Sequence, residues 1–177
     1  MKVLRRIGVE EPLRKTSFEP HSHLNRAWDT GKVLKELPMP EDLFGAPYLC
    51  MHRADLTNAL ASVIPQDTIH FNKKLVGLDE GAANVTLTLE DGTTAVVDAV
   101  VGADGVHSLV RELVVGPDEP IHKGRIAYRA VFSTERLRGK DLGPSRTKWW
   151  GIDRHIVIYY VTSNRGEIYF VTSVPES

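Results

Sequence analysis

Apolar positions along the chain change period several times, and the changes outline its elements. Val96, Val97, Ala99, Val100 and Val101 form an almost continuous apolar run that is too short for a membrane helix and rich in β-branched residues. That pattern predicts a core strand buried on both faces. Gly102 and Gly105 then bracket Asp104, and Val106, Leu109, Val110 and Leu113 follow at i, i+3, i+4 and i+7, one face of an amphipathic helix. The order strand, tight turn, helix has two readings. Glycines remove the Cβ atoms that hold a ligand off the backbone, and a helix start offers unpaired N–H groups, so the turn suits a dinucleotide pyrophosphate. Alternatively the glycines only sharpen the connection and Asp104 caps the helix.

Elsewhere the pattern predicts a short helix within Met1–Arg14 and a hairpin of about His21–Trp28 and Lys32–Leu37 around Asp29-Thr30-Gly31. A helix over about Ala54–Ile64 would bury Leu56, Ala59, Leu60 and Val63. Arg53 stands at its positive end, where the dipole disfavours a cation unless an anion accompanies it; it faces either solvent or a phosphate. Strand pieces are expected at Thr68–Phe71, Lys73–Leu78 and Val85–Leu89, with Asp91-Gly92 turning into Thr94–Val101. Beyond Gly116-Pro117 the chain reads as an antiparallel sheet of Arg125–Phe132, Thr147–Trp150, Arg154–Val161 and Glu167–Val174, the last hairpin closed by Asn164-Arg165-Gly166. His155, Val157, Tyr159 and Val161 share one face. An imidazole and a phenol on one face can exchange protons with a ligand, although roughly 13 Å separates their backbones; the alternative is a core tyrosine beside a plain sheet histidine.

Composition narrows the function classes. Lys plus Arg number 22 against 23 Asp plus Glu, a net charge of −1, so nothing in the charge balance favours nucleic acid or an anionic membrane as partner. Cys50 is the single cysteine, which rules out an internal disulfide framework and fits a reducing cytoplasm. No apolar run approaches the ~20 residues that span a bilayer, and MKVLRR does not lead into a signal-peptide core. The expectation is a soluble cytoplasmic protein. His21 and His23 would share a strand face, but no third ligand accompanies them at a convincing spacing, so no metal site is predicted.

Three separated segments, GAPYLCMHRADL (Gly45–Leu56), VVGADGVHSLVREL (Val100–Leu113) and KWWGIDRHIVIYYV (Lys148–Val161), together resemble the FAD-dependent aromatic ring hydroxylases of the single-component group A type. Within that family the likeness is nearest to the hydroxynicotinate and salicylate hydroxylases. The resemblance implies an α/β (α+β) fold of the para-hydroxybenzoate hydroxylase type, in which a partial Rossmann-like FAD portion (1–15 and 49–116) interleaves with a β-rich substrate region (16–48 and 117–177). It implies FAD as cofactor, NADH or NADPH as reductant, O₂ as co-substrate and a small aromatic hydroxy acid as substrate. Carried over by position, Arg53 and Leu75 contact FAD, and Gly102, Asp104 and Gly105 form the second dinucleotide turn. His155 and Tyr159 line the substrate pocket, with Tyr159 helping to take the proton from the substrate hydroxyl. Arg146 stands where the hydroxynicotinate enzyme has a cysteine, a departure that bears on the substrate.

The family also begins with a G-x-G-x-x-G turn and later carries a G-D-x-x-H-P segment; neither occurs in these 177 residues. The chain therefore reads as an internal piece of a hydroxylase about twice its length. A second reading, of a different class, is a catalytically silent assembly module that self-associates through open sheet edges.

Overall fold

The computed structural model describes residues 1–176. In chain order the elements are α1 (Lys2–Arg6), α2 (Glu10–Thr16), β1 (Ser22–Ala27), β2 (Val33–Pro38), α3 (Glu41–Phe44), α4 (Arg53–Ala61), β3 (Leu75–Glu80), β4 (Val85–Leu89), β5 (Thr94–Val97), α5 (Leu109–Val115), β6 (Arg125–Ser133), β7 (Arg146–Trp150), β8 (His155–Tyr160) and β9 (Glu167–Pro175). The fold is mixed α/β, as expected. Two compact units divide it: Met1–Pro65 with the chain from Gly124 onward, and Gln66–Lys123.

The first unit is built on a six-stranded sheet in the order β2-β1-β7-β8-β9-β6. Its pairings are antiparallel except β1 with β7, which run parallel and set His23 opposite Arg146 and Asn25 opposite Lys148. The predicted hairpins form because their turn residues and period-2 alternation are local signals. One core cluster gathers Phe18, Cys50, Tyr160 and Ile168, with Phe132, Leu137 and Leu142 against it. Tyr160 is satisfied there, donating to Asp141 Oδ1 at 2.6 Å and accepting from the Leu142 N–H at 3.1 Å. A second cluster packs Val9, Leu13 and Ala59 between α1, α2 and α4, with Leu4, Leu56 and Leu60 alongside. Gly8 at φ +81° ends α1, so the expected single N-terminal helix is two.

Ion pairs lock these helices to α3. Glu10 accepts from Arg5 at 2.6 and 2.8 Å and from Arg14 at 3.1 Å, and Glu41 accepts from both arginines. The arginines hold both carboxyls below their ordinary 4.5, Arg5 acting most strongly on Glu10 and Arg14 on Glu41. A depressed carboxyl contributes stability that is complete above its unfolded pKa and is lost as pH falls through its folded one. The urea midpoint should therefore drop on acidification below about pH 4.5. In Glu10→Gln that acid limb should flatten; an unchanged limb would remove Glu10 from the account.

The second unit holds an antiparallel sheet in the order β3-β4-β5, with α5 against β3. Three expectations are corrected here. Thr68–Phe71 is not a strand: a single 3-10 turn covers Gln66–Thr68, and Asn72 at φ +58° turns the chain before β3. The apolar run ends its ladder at Val97 and is not a core strand, with Val96 64% and Val101 89% exposed. Within the unit β5 is an edge strand hydrogen-bonded on one side only, so its valines do not both find a packed face. The helix starts at Leu109, leaving Val106 outside it, because Ser108 caps it. Among the described residues no helix is long and apolar enough to cross a membrane.

Candidate functional site

Alternation across the aligned strands puts His23 and Asn25 of β1, Arg146, Lys148 and Trp150 of β7, His155, Val157 and Tyr159 of β8, and Tyr169 of β9 on one face of the large sheet. The only carboxylate among the strand residues of this face is Glu167 at its end, and His52 Nε2 engages it at 3.0 Å. The other ionisable side chains named on it are cationic, imidazole or phenolic.

Arg146 is the hub. Its Nη1 donates to His23 Nδ1, its guanidinium carbon lies 5.5 Å from the Tyr159 ring centroid, and its Nε is buried with no hydrogen-bond partner. Tyr159 in turn packs on Tyr169, with ring centroids 5.2 Å apart. Because the guanidinium can only donate, His23 Nδ1 accepts and the imidazole is neutral. Burial, then the Arg146 charge, holds the His23 pKa below 6.5. Burial pushes the Tyr159 phenol up to about 12 and also raises Tyr48, while the Cys50 thiol rises to about 12. At neutral pH His23, Tyr159, Tyr48 and Cys50 are thus uncharged beside the Arg146 guanidinium.

His155 lies toward the other end of this face, its ring 5.6 Å from that of Trp150. Burial first, then Lys148 and Arg125, lower its pKa, so it is a neutral proton acceptor at pH 7. Lys148 Nζ sits 3.5 Å from the Trp150 ring centroid, and the Trp150 indole donates to Asn25 Oδ1 at 2.7 Å. The expected residues Arg146, His155 and Tyr159 therefore share this face. Reading the sequence missed His23 in this role, along with Tyr48, Cys50 and Lys148. His23 had been weighed only with His21 as a metal pair; His21 precedes β1, and no cluster of three or more potential metal ligands exists among the described residues.

In the second unit, Leu75, Leu87, Val97, Gly102, Asp104 and Val110 line a cavity of about 800 Å³. It unites three of the expected cofactor residues; Gly105 lies outside its lining. Gly102 is required by close approach, since a Cβ there would fall 2.8 Å from the Val110 side chain, while Gly105 adopts φ +89°. Asp104 accepts from the Ser108 hydroxyl and from the Val110 N–H at 3.2 Å, and Ser108 Oγ accepts from the Arg111 N–H at 3.0 Å. Those bonds, the Ser108 hydroxyl foremost, hold the Asp104 carboxyl below its usual value. Two amides at the start of α5 are thereby taken up within the chain, with Asp104 and Ser108 sharing the capping role. Arg53, the first residue of α4 in the other unit, is exposed and forms no ion pair with any described residue.

Residues 16–120 match the family described as flavin containing amine oxidoreductase. The chain belongs to that family. It is 38% identical over 179 residues to 6-hydroxynicotinate 3-monooxygenase of Bordetella bronchiseptica, covering 99% of this chain but 47% of that enzyme. Among solved structures, Klebsiella pneumoniae HpxO complexed with FAD and uric acid superposes with a TM-score of 0.86 at 21% identity, over 99% of this chain and 45% of that one. A salicylate hydroxylase substrate complex gives 0.81 at 24%, over 99% and 46%. The chain thus spans under half the length of the relatives it matches, and kinship with flavin-dependent aromatic hydroxylases holds as the three motifs implied.

These family features can be tested against the residues present. Arg53 is an unpaired cation at the positive end of a helix, a position that suits a phosphate. Asp104 and the apolar wall around Leu75 suit hydroxyl and ring portions of a dinucleotide, whereas the α5 amides beside them are already engaged. Each of these, taken within its own unit, suits part of FAD.

Proposed function

We propose that this chain carries the substrate face and part of the flavin-contacting surface of an FAD-dependent monooxygenase that hydroxylates a small aromatic hydroxy acid, using NADH or NADPH and O₂. The observation that carries this reading is the convergence of Arg146, Tyr159 and Tyr169 on one sheet face, with His155 further along it. In this reading residues 1–15 and 49–116 serve the cofactor, and 16–48 with 117–177 serve the substrate, in the cytoplasm.

Bound FAD supplies the oxygen-activating chemistry. Arg53 offsets phosphate charge, Asp104 accepts from sugar or ribityl hydroxyls, and Leu75 with Gly102 provides an apolar seat. Tyr159, with its phenol held protonated near neutral pH, donates a hydrogen bond to the substrate's ring oxygen and favours the ionised form of that hydroxyl. His155, neutral and accepting, receives the proton. The aromatic pair Tyr159 and Tyr169 positions the ring and excludes water from it.

The test is a titration of the purified chain with FAD, read by flavin fluorescence, for wild type, Arg53→Ala and Asp104→Ala. Loss of a charge-assisted contact should weaken binding roughly tenfold in each variant. No saturable binding to a chain shown to be folded would reject the flavin reading for these residues alone. Strand-mediated dimers of a colourless protein would favour the assembly module instead.

A further inference from the structure

We propose, resting on His155 as the proton acceptor of the function above, that Lys148 and Arg125 are positioning residues acting through it: they flank its imidazole from opposite sides along the sheet and reserve it for taking up a proton. On the β7 side, the Trp150 indole donates to Asn25 Oδ1 at 2.7 Å, which fixes the ring. Lys148 Nζ rests 3.5 Å from the centroid of that indole, and the His155 ring stands 5.6 Å from it. Ammonium and imidazole therefore meet at one indole. Because the ammonium lies on a π face and not on a carboxylate, its charge is not cancelled. On the β6 side, Arg125 donates through Nε to the Ser173 hydroxyl at 3.1 Å and through Nη2 to the Asp153 carbonyl at 2.7 Å. Ser173 is the residue opposite His155 on β9, so this second cation is tied beside the imidazole as well.

Asp153, two residues before His155 in the turn, pairs with Arg154 at 2.8 Å. The groups facing the imidazole are thus Lys148 with Trp150 from β7, Arg125 from β6 and Ser173 from β9, with the Asp153–Arg154 pair in the turn. Burial disfavours the imidazolium most, and a cation on each side adds to it. Below pH 6.5 an ordinary histidine is mostly protonated and has no lone pair to offer. His155 keeps its lone pair further into that range.

The experiment is an NMR pH titration of the His155 ring in the 177-residue chain without FAD or substrate, its resonance picked out from the seven histidines by its loss in His155→Gln. Lys148→Met and Arg125→Met should each move the midpoint up toward 6.5, Lys148→Met the further, and the double variant should add the two shifts, since the cations approach from opposite sides. Trp150→Leu, which removes the seat of the ammonium, should raise the midpoint as Lys148→Met does, whereas Trp150→Phe should hold it near the wild-type value. Screening gives a readout that needs no variant to fold: about 1 M NaCl should raise the wild-type midpoint. A midpoint indifferent to salt and to both cation variants overturns the proposal, as does Trp150→Phe behaving like Trp150→Leu. The upward shifts in a chain that binds no FAD would reject only the monooxygenase reading. FAD binding by a chain whose midpoint ignores both cations would reject only this one.

Discussion

Replacing Ile168 by alanine is expected to lower the stability of the folded chain by about 2–5 kcal/mol. Ile168, on the strand β9 that is hydrogen-bonded to β8 on one side and β6 on the other, is 0% exposed and packs with Phe18, Cys50 and Tyr160. The strand ladders hold the backbone, and Asp141 anchors the Tyr160 hydroxyl, so the neighbours have little freedom to close over the missing atoms. Against a typical total of about 5–15 kcal/mol, such a loss is large. Urea unfolding followed by circular dichroism should show a lower midpoint with unchanged slope. Ile152→Ala, at a fully exposed position, should stay within about 0.5 kcal/mol of wild type. If the two variants were equally stable, the packed cluster around Ile168 would be wrong. The consequence for function is direct, because β9 also carries Tyr169, the support behind Tyr159.

The single thiol gives a second large effect. Burial pushes Cys50 from an ordinary 9.0 up to about 12, only partly opposed by the nearby Arg146 charge. At pH 8 its thiolate fraction should be roughly 10³-fold below that of a free thiol, and iodoacetamide should alkylate it slower by at least that factor in the native chain than in urea, since burial adds to the protonation effect. Mass spectrometry of timed quenches measures this. Native alkylation as fast as in urea would mean that the segment bridging Cys50 to Phe18 is not seated against the sheet. Arg146→Gln should slow the native reaction further, because the cation that favours the thiolate is gone.

Much of the architecture was readable because its signals are local. Alternation in Val85–Leu89 and Glu167–Val174, the Asp91-Gly92 and Asn164-Arg165-Gly166 turns, and the His155–Tyr159 spacing all depend on neighbours within a few residues. Where the reading failed, a tertiary fact overrode a local one. The valines from Val96 to Val101 read as a buried strand, yet β5 is a sheet edge, and the apolar content of a run does not reveal how many neighbours its strand has. Val106 continued the helical period, but Ser108 holds the cap and the helix begins after it. The glycines of the central turn were recognised without their separate reasons, close packing of Gly102 on Val110 and the positive φ of Gly105.

The candidate site divides in the same way. By itself the sequence determined the face shared by His155 and Tyr159, the strand–turn–helix at Gly102 to Gly105, and the motifs that tie the chain to flavoproteins, because residue type and short-range period encode each of them. Only the tertiary structure decided that His23 meets Arg146 across 123 positions, that Arg146 Nε is buried without a partner, and that Cys50 joins the core beside Tyr160. The physical reason is strand order. A β-pattern specifies which face a side chain takes but not which distant strand pairs with it, and the chemistry of this face depends on that pairing.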